Sequence, residues 1–344
     1  MGKPHSYAHL QNLGKYPLCH FRPPELAFLQ ELELRFRLSS AHFNCEKLKL
    51  INSTIRYLDI SDNHLTSSSL ILECLSQVRF PSLSHLNLSQ NPLHSPLNPS
   101  AVLLTPSLSH LDISWCGLSG RLTNSFLSIA IGTLSSLTLS HNQLQGKLPS
   151  LLPTYGGWTD IDLSHNFFTG INTQEAVVEK INQTSRQVQL GQLLLSNNRL
   201  KGDLGEFLAK FVALSVDGCP IHFEMLDVSD NDFTGTVPPF VANCSGLHRI
   251  KMGNNHLRGQ IPAELGLLSG LRTLSLHQNQ LEGSIPSTLS NCTSLEVLDL
   301  SHNRLDGDVE QVLFSSQNLP SLRVLLLSYN RLTGIIPASD WFLQ

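Results

Sequence analysis

Between Phe223 and Pro286 the apolar positions return in a fixed order. The first copy reads Phe223-x-x-Leu226-x-Val228-x-x-Asn231-x-Phe233-x-Gly235-x-Val237-Pro238, and the second Leu247-x-x-Ile250-x-Met252-x-x-Asn255-x-Leu257-x-Gly259-x-Ile261-Pro262. A third runs from Leu271 to Pro286, and Leu226, Ile250, Leu274 and Leu298 stand 24 residues apart. Inside each copy, apolar and polar residues alternate, as in Leu298 and Leu300, which predicts a short strand with one buried face. A fixed period of this length predicts units that cannot bury an apolar face alone and so stack on their neighbours.

The register begins at Ile55-x-x-Leu58-x-Ile60-x-x-Asn63-x-Leu65 and returns with Asn91, Cys116, Asn142, Asn166, Asn198, Asn231, Asn255, Asn279, Asn303 and Asn330, eleven copies in all. These are leucine-rich repeats, and the fold class they predict is an α/β repeat solenoid with a parallel β-sheet along one side. Leu26-x-x-Leu29-x-x-Leu32-x-Leu34 reads as a degenerate first coil. Residues 1–25, with Pro4, Pro17, Pro23 and Pro24 and no periodicity, read as an irregular flank or cap. The solenoid then occupies 26–344, with clear repeats over 55–337 and a last repeat expected to be truncated. The asparagine has a task in each turn, because its amide can satisfy several inward-pointing backbone groups at once, and Cys116 is a small buried substitute. The glycines permit the turn, and the prolines (Pro238, Pro262, Pro286) are expected to fix its exit and stop helix formation. Two units are long: Ile161 to Leu193 spans 32 residues and Leu193 to Leu226 spans 33, with the extra residues expected in surface loops.

Composition narrows the function. A net charge of −4 with 15% charged residues lacks the basic excess of a nucleic-acid-binding surface, so no nucleic-acid partner is expected. No run of about 18 apolar residues occurs, so no membrane span is expected in this chain. Met1 to Ser6 is polar and resembles no secretory leader; it matches a loose acylation pattern instead. No nucleotide-binding, metalloprotease or nucleophile-elbow signature is present, so no enzyme, cofactor or metal is expected.

The Leu-x-Gly-x-Ile-Pro element at Leu257–Pro262, Leu281–Pro286 and Leu332–Pro337, and the Leu-Asp-Leu-Ser-His-Asn of Leu298–Asn303, resemble plant-type leucine-rich repeats. That class includes the ectodomains of receptor-like kinases and receptor-like proteins, and the polygalacturonase inhibitors. The resemblance implies a right-handed superhelix with a concave parallel sheet and a second short strand after the Gly-x-Ile-Pro turn. It implies binding of peptides, hormones, wall-derived glycans or other receptors. The family's cysteine-paired N-terminal cap is not recognisable here.

Residues alternating with the core leucines are expected to face outward and form the ligand surface. Its candidates are Tyr57, Asp59, His85, His110, Asp112, Asp160, Asp162, Asp227, Arg249, Lys251 and Asp299, with Trp115 and Tyr329 on the rim just before the asparagine position. The aspartate column Asp59, Asp112, Asp162, Asp227 and Asp299 has two readings: a surface for a basic partner, or a generic feature of the repeat that keeps the sheet soluble. Arg249 and Lys251, with Arg272 and Arg258 nearby, suit a carboxylate or an acidic sugar. His85 with His110, and His141 with His165, are expected about 5 Å apart on successive coils, where paired imidazoles suit pH sensing, a divalent ion or neutral polar filling. Asn52, Asn182, Asn243 and Asn291 head glycosylation sequons. Cys244 and Cys292 are two periods apart, too far to pair with each other, and are expected to be free and buried.

The function expected is a non-enzymatic, receptor-like recognition module for signalling or defence. Its partner is a protein or peptide ligand, a co-receptor or a wall-derived glycan, at the cell surface or in the apoplast. Two alternatives stand beside it: a secreted inhibitor of a cell-wall hydrolase, and an intracellular, cytoplasmic interaction scaffold.

Overall fold

The computed structural model describes residues 7–11, 30–35, 53–66, 80–97, 107–128, 133–154, 157–172, 190–212, 219, 222–310 and 319–334. The chain divides into two compact units, Met1–Thr184 and Ser185–Gln344.

In the first unit a parallel sheet runs in chain order through β1 (Tyr7–Gln11), β2 (Glu31–Arg35), β3 (Tyr57–Asp59), β4 (His85–Asn87), β5 (His110–Asp112), β7 (Ser136–Thr138) and β9 (Asp160–Asp162). A second, lateral sheet holds β6 (Ser119–Gly120), β8 (Gln143–Leu148) and β10 (Phe167–Ile171). Leu58, Leu86, Leu111, Leu137 and Ile161 pair in register from strand to strand. All five are buried, so the period-two pattern points its apolar half into one core. Two findings extend the expectation at the start of the chain: the degenerate first coil supplies β2, and the flank expected to be irregular contains β1, paired in parallel with β2. Two short helices complete the coils, α1 (Asn124–Ser128) and α2 (Leu151–Thr154), and the Thr123 hydroxyl caps the first by accepting the Phe126 N–H at 3.3 Å.

The second unit repeats the scheme. Its main sheet holds β11 (Gln192–Leu194), β13 (Met225–Asp227), β15 (Arg249–Lys251), β17 (Thr273–Ser275), β19 (Val297–Asp299) and β21 (Val324–Leu326), all parallel and in register through Leu193, Leu226, Ile250, Leu274, Leu298 and Leu325. Lateral strands are β12 (Lys201–Asp203), β14 (Asp232–Thr234), β16 (Arg258–Gly259), β18 (Gln280–Ser284) and β20 (Arg304–Asp306). The second strand thus precedes the Ile-Pro pair instead of following it. Proline does not stop helix formation either: Pro238, Pro262 and Pro286 cap 3₁₀ turns over Pro239–Asn243, Ala263–Leu267 and Ser287–Asn291. Their φ values of −75°, −63° and −63° are what a ring-locked backbone supplies at a helix start.

The extra residues after Asp203 also depart from the expected loop. They build α3 (Leu204–Val212), which buries Leu204, Phe207, Leu208 and Phe211 at i, i+3, i+4 and i+7. The Asp203 carboxylate accepts the Glu206 N–H at 2.9 Å as its cap, and Phe207 meets Phe233 edge-on at 4.9 Å. Cys244, expected to be free, is bonded to Cys219 in the same long unit, with Cα atoms 4.8 Å apart; Cys292 is free and buried as expected. The spacing argument excluded the Cys244–Cys292 pair and overlooked Cys219, which lies among the extra residues of the long unit. The other long stretch, 173–189, lies outside the described residues.

Candidate functional site

Each repeat closes on its asparagine. Asn142 donates from Nδ2 to the carbonyls of Ile113, Leu139 and Ser140 at 2.8–3.2 Å, while its Oδ1 accepts the N–H groups of Cys116 and Leu118. Cys116 does the donor half of the task, its Sγ lying 3.3 Å from the Leu88 carbonyl. Burial pushes this thiol up to about 12, so it stays protonated and donating.

The residue just before each of these positions adopts the left-handed backbone conformation. The column is Asp62, Gln90, Trp115, His141 and His165 in the first unit, and Asn197, Asp230, Asn254, Gln278, His302 and Tyr329 in the second, all with φ between 50° and 57°. Asn, Asp and His tolerate that region better than most side chains, and several of these positions carry them. The inter-coil bonds hold the conformation in place: Gln90, Trp115 and His141 donate their N–H groups to Ser114, Ser140 and Ser164. The consequence is a rim of side chains stacked like plates. Trp115 lies on His141 with ring centres 3.7 Å apart, His141 lies on His165 at 3.9 Å, and in the second unit His302 lies on Tyr329 at 4.2 Å. Trp115 and Tyr329 remain 58% and 74% exposed, so they are both packed against a neighbouring coil and available at the surface.

On the sheet face, His85 and His110 stack at 4.1 Å, with Tyr57 tilted against His85 at 5.8 Å. The rings are held from the side, His85 Nδ1 by Ser84 Oγ and His110 Nδ1 by Ser109 Oγ, each at 2.8 Å. Face-to-face imidazoles aim their nitrogens along parallel lines, which does not converge on a shared ion. Burial first, and then the neighbouring His110, lowers His85; burial and then His165 lower His141, against the opposing pull of Asp162.

The aspartate column faces outward only in part: Asp112, Asp162 and Asp299 are partly exposed, and two members are buried. Asp59 is fully buried and Asp227 is 8% exposed. Asp59, Asp112, Asp162, Asp227 and Asp299 each turn one carboxylate oxygen onto the N–H of the serine two residues on, at 2.9–3.1 Å. Burial and these bonds give Asp59 and Asp227 a structural task. Burial foremost, with the like charges of Asp162 and Asp59, pushes the Asp112 carboxyl up against the bonds from Ser114. Asp160 keeps an accessible edge and accepts from the Thr159 hydroxyl at 3.0 Å.

In the second unit the sheet face is mixed. Arg249 is exposed and has no ion-pair partner among the described residues. Lys251 Nζ stands 3.8 Å from Asp227, and Arg272 stands 3.9 Å from Glu296. Arg258 belongs to lateral strand β16 and not to this face. Beside Lys251 lies a residue the alternation rule did not single out, His277. Its Nδ1 is 2.8 Å from Ser275 Oγ and 3.4 Å from Asp299 Oδ2. Serine and aspartate address the same ring nitrogen, so this is no nucleophile–base–orienter relay. The signal for it was present in the serine column Ser229, Gly253, His277, Ser301: a side chain at Gly253 would run into the His277 ring. Val324 and Leu326 extend the face, 41% and 46% exposed. Asn243 and Asn291 are exposed at the ends of 3₁₀ turns, whereas Asn52 and Asn182 lie outside the described residues.

The repeats, their parallel sheets and the asparagine ladders define a leucine-rich-repeat fold. Models of the Leucine Rich Repeat family match residues 52–72, 133–154, 222–244 and 321–343, and a two-copy model matches 269–312. The chain is similar to Receptor-like protein 39 of Arabidopsis thaliana, 31% identical over 173 residues, covering 50% of this chain and 18% of that protein. Receptor like protein 23 of the same plant is 30% identical over 221 residues, 63% of this chain and 22% of the relative. The chain thus spans about a fifth of the length of these curated relatives. Among solved structures it resembles the receptor kinase HAESA of Arabidopsis in complex with the peptide hormone IDA and the co-receptor SERK1, at TM-score 0.62, 25% identity, and 91% and 52% coverage of the two chains. The PEPR1–AtPEP1 complex matches at TM-score 0.59 and 26% identity, over 91% of this chain and 36% of that one.

Proposed function

We propose that this chain is a ligand-binding, non-enzymatic part of a plant receptor-like protein, and that the sheet face of the second unit holds an extended peptide bearing an acidic group. Arg249 carries the reading: it is an exposed guanidinium on a strand face with no ion-pair partner among the described residues, suited to grip a ligand carboxylate through two parallel N–H···O bonds. Lys251 reinforces the charge, His277 offers Nε2 as a further polar contact, and exposed Val324 and Leu326 give an apolar stretch for the rest of the ligand. The peptide hormone bound in the HAESA complex supports this class of ligand. The Cys219–Cys244 bond supports an oxidising, extracellular setting, in which exposed Asn243 and Asn291 would be glycosylated.

A random peptide library selected on the purified chain tests this. Enriched peptides should share an acidic residue or a free C-terminal carboxylate, and the Arg249→Ala/Lys251→Ala variant should lose them by at least about tenfold, the weight of one strong polar anchor. Enrichment of peptides indifferent to both substitutions sinks the assignment.

A further inference from the structure

The rim of the first unit carries a second site, independent of the sheet face just described. His141 covers one face of Trp115. The other face looks toward the preceding coil, whose Gln90 donates its N–H to the Ser114 carbonyl. There the surface sinks into an open depression of about 610 Å³ lined by Gln90, Pro92, His94, Trp115, Cys116 and Gly117. That volume is in the range that holds small ligands.

Its construction is specific. Trp115 is held broadside by a left-handed backbone at φ 57° and by the imidazole behind it, so the indole is a rigid plate. Across from it, the His94 ring rests directly on Gly117, where a Cβ would collide with the imidazole. Gly117 thereby seats His94 low against the coil. The Gln90 amide and the His94 imidazole make no hydrogen bond among the described residues, and both are exposed. Among the described residues no carboxylate, lysine or arginine lines the depression, so these walls select neither an anion nor a cation.

We propose that this depression binds a neutral pyranose ring with equatorial hydroxyls, such as a unit of a β-linked glucan. In such a sugar the axial C–H bonds form a flat apolar face, which matches the free side of the indole. The equatorial hydroxyls at its edge both donate and accept, matching a side-chain amide and an imidazole. An acidic sugar would find no counter-charge.

Cellohexaose titrated into the chain, followed by calorimetry and by the Trp115 indole N–H resonance, tests the proposal. Trp115→Ala should weaken binding at least about tenfold, while Trp115→Phe, which keeps a smaller plate, should retain part of it. Gly117→Ala should also weaken it, by lifting His94. Melting temperatures of the variants report whether the fold is intact. Absence of binding at about 10 mM cellohexaose, on the weakest affinity scale worth assigning, overturns the site. Equal affinity in wild type and Trp115→Ala, or a preference for hexagalacturonate or a tyrosine-bearing octapeptide, overturns it too.

Discussion

A single asparagine per coil decides whether the coil closes. Truncating Asn142 takes the donor from the Ile113 carbonyl and the acceptor from the Cys116 and Leu118 N–H groups in a site that is 7% exposed, while the Leu139 and Ser140 carbonyls keep Asn166 and Trp115. Asn142→Ala should therefore cost about 2–4 kcal/mol in chemical denaturation, since each orphaned buried group carries its own desolvation penalty. Asn142→Cys should cost less, because a thiol already performs the donor half of this task at position 116. The histidines give a second prediction at this scale. His85 and His141 are lowered from 6.5, so at mildly acid pH the unfolded chain binds protons the folded chain refuses. Their contribution is fully present above pH 6.5 and is lost as the pH falls through the folded values. In an NMR titration both should protonate below pH 6.5, and His110→Gln should move His85 back up. The asparagine slot was legible in the sequence because its task recurs once per turn. Asp59 and Asp227 depart from the outward expectation for a local reason: alternation gives the direction of a Cα–Cβ bond, but a side chain as short as aspartate can turn back onto a backbone N–H two residues on.

Elements repeat faithfully where the unit is 24 residues long and diverge where it is longer. Strand positions followed from alternation alone. The 3₁₀ turns did not, because proline was weighed as a helix breaker when its fixed φ equally serves a helix start. Helix α3 was hidden for a different reason: Leu204, Phe207, Leu208 and Phe211 carry a period of 3.6 inside a stretch read only as an excess over the repeat. Phe207 is 5% exposed, so Phe207→Ala should destabilise the second unit by about 3–5 kcal/mol. The disulfide ties the same region. With its cysteines 25 positions apart in sequence, the Cys219→Ser/Cys244→Ser variant should lose about 3 kcal/mol, read as a lower melting temperature than the oxidised chain.

For the whole molecule, stability is a sum over neighbours, so local opening should follow local burial. Leu274 and Leu276 are fully buried, whereas Leu325 of the last described strand and Leu327 just after it are only partly so. Hydrogen exchange should accordingly be faster across β21 than across β17; equal protection would mean that coils open together and not singly. The array was legible from its leucines, and Arg249, Lys251 and Trp115 from the way they break its pattern; the fit of His277 over Gly253 and the depression beside Trp115 were not, since they depend on contacts between coils.

The left-handed position ahead of each asparagine has an evolutionary corollary. Its backbone is pinned by the adjoining coil and its side chain never enters the core, so an exchange there edits the edge of the protein one coil at a time. Diversity among related chains should collect in that column, leaving the leucines beneath it untouched.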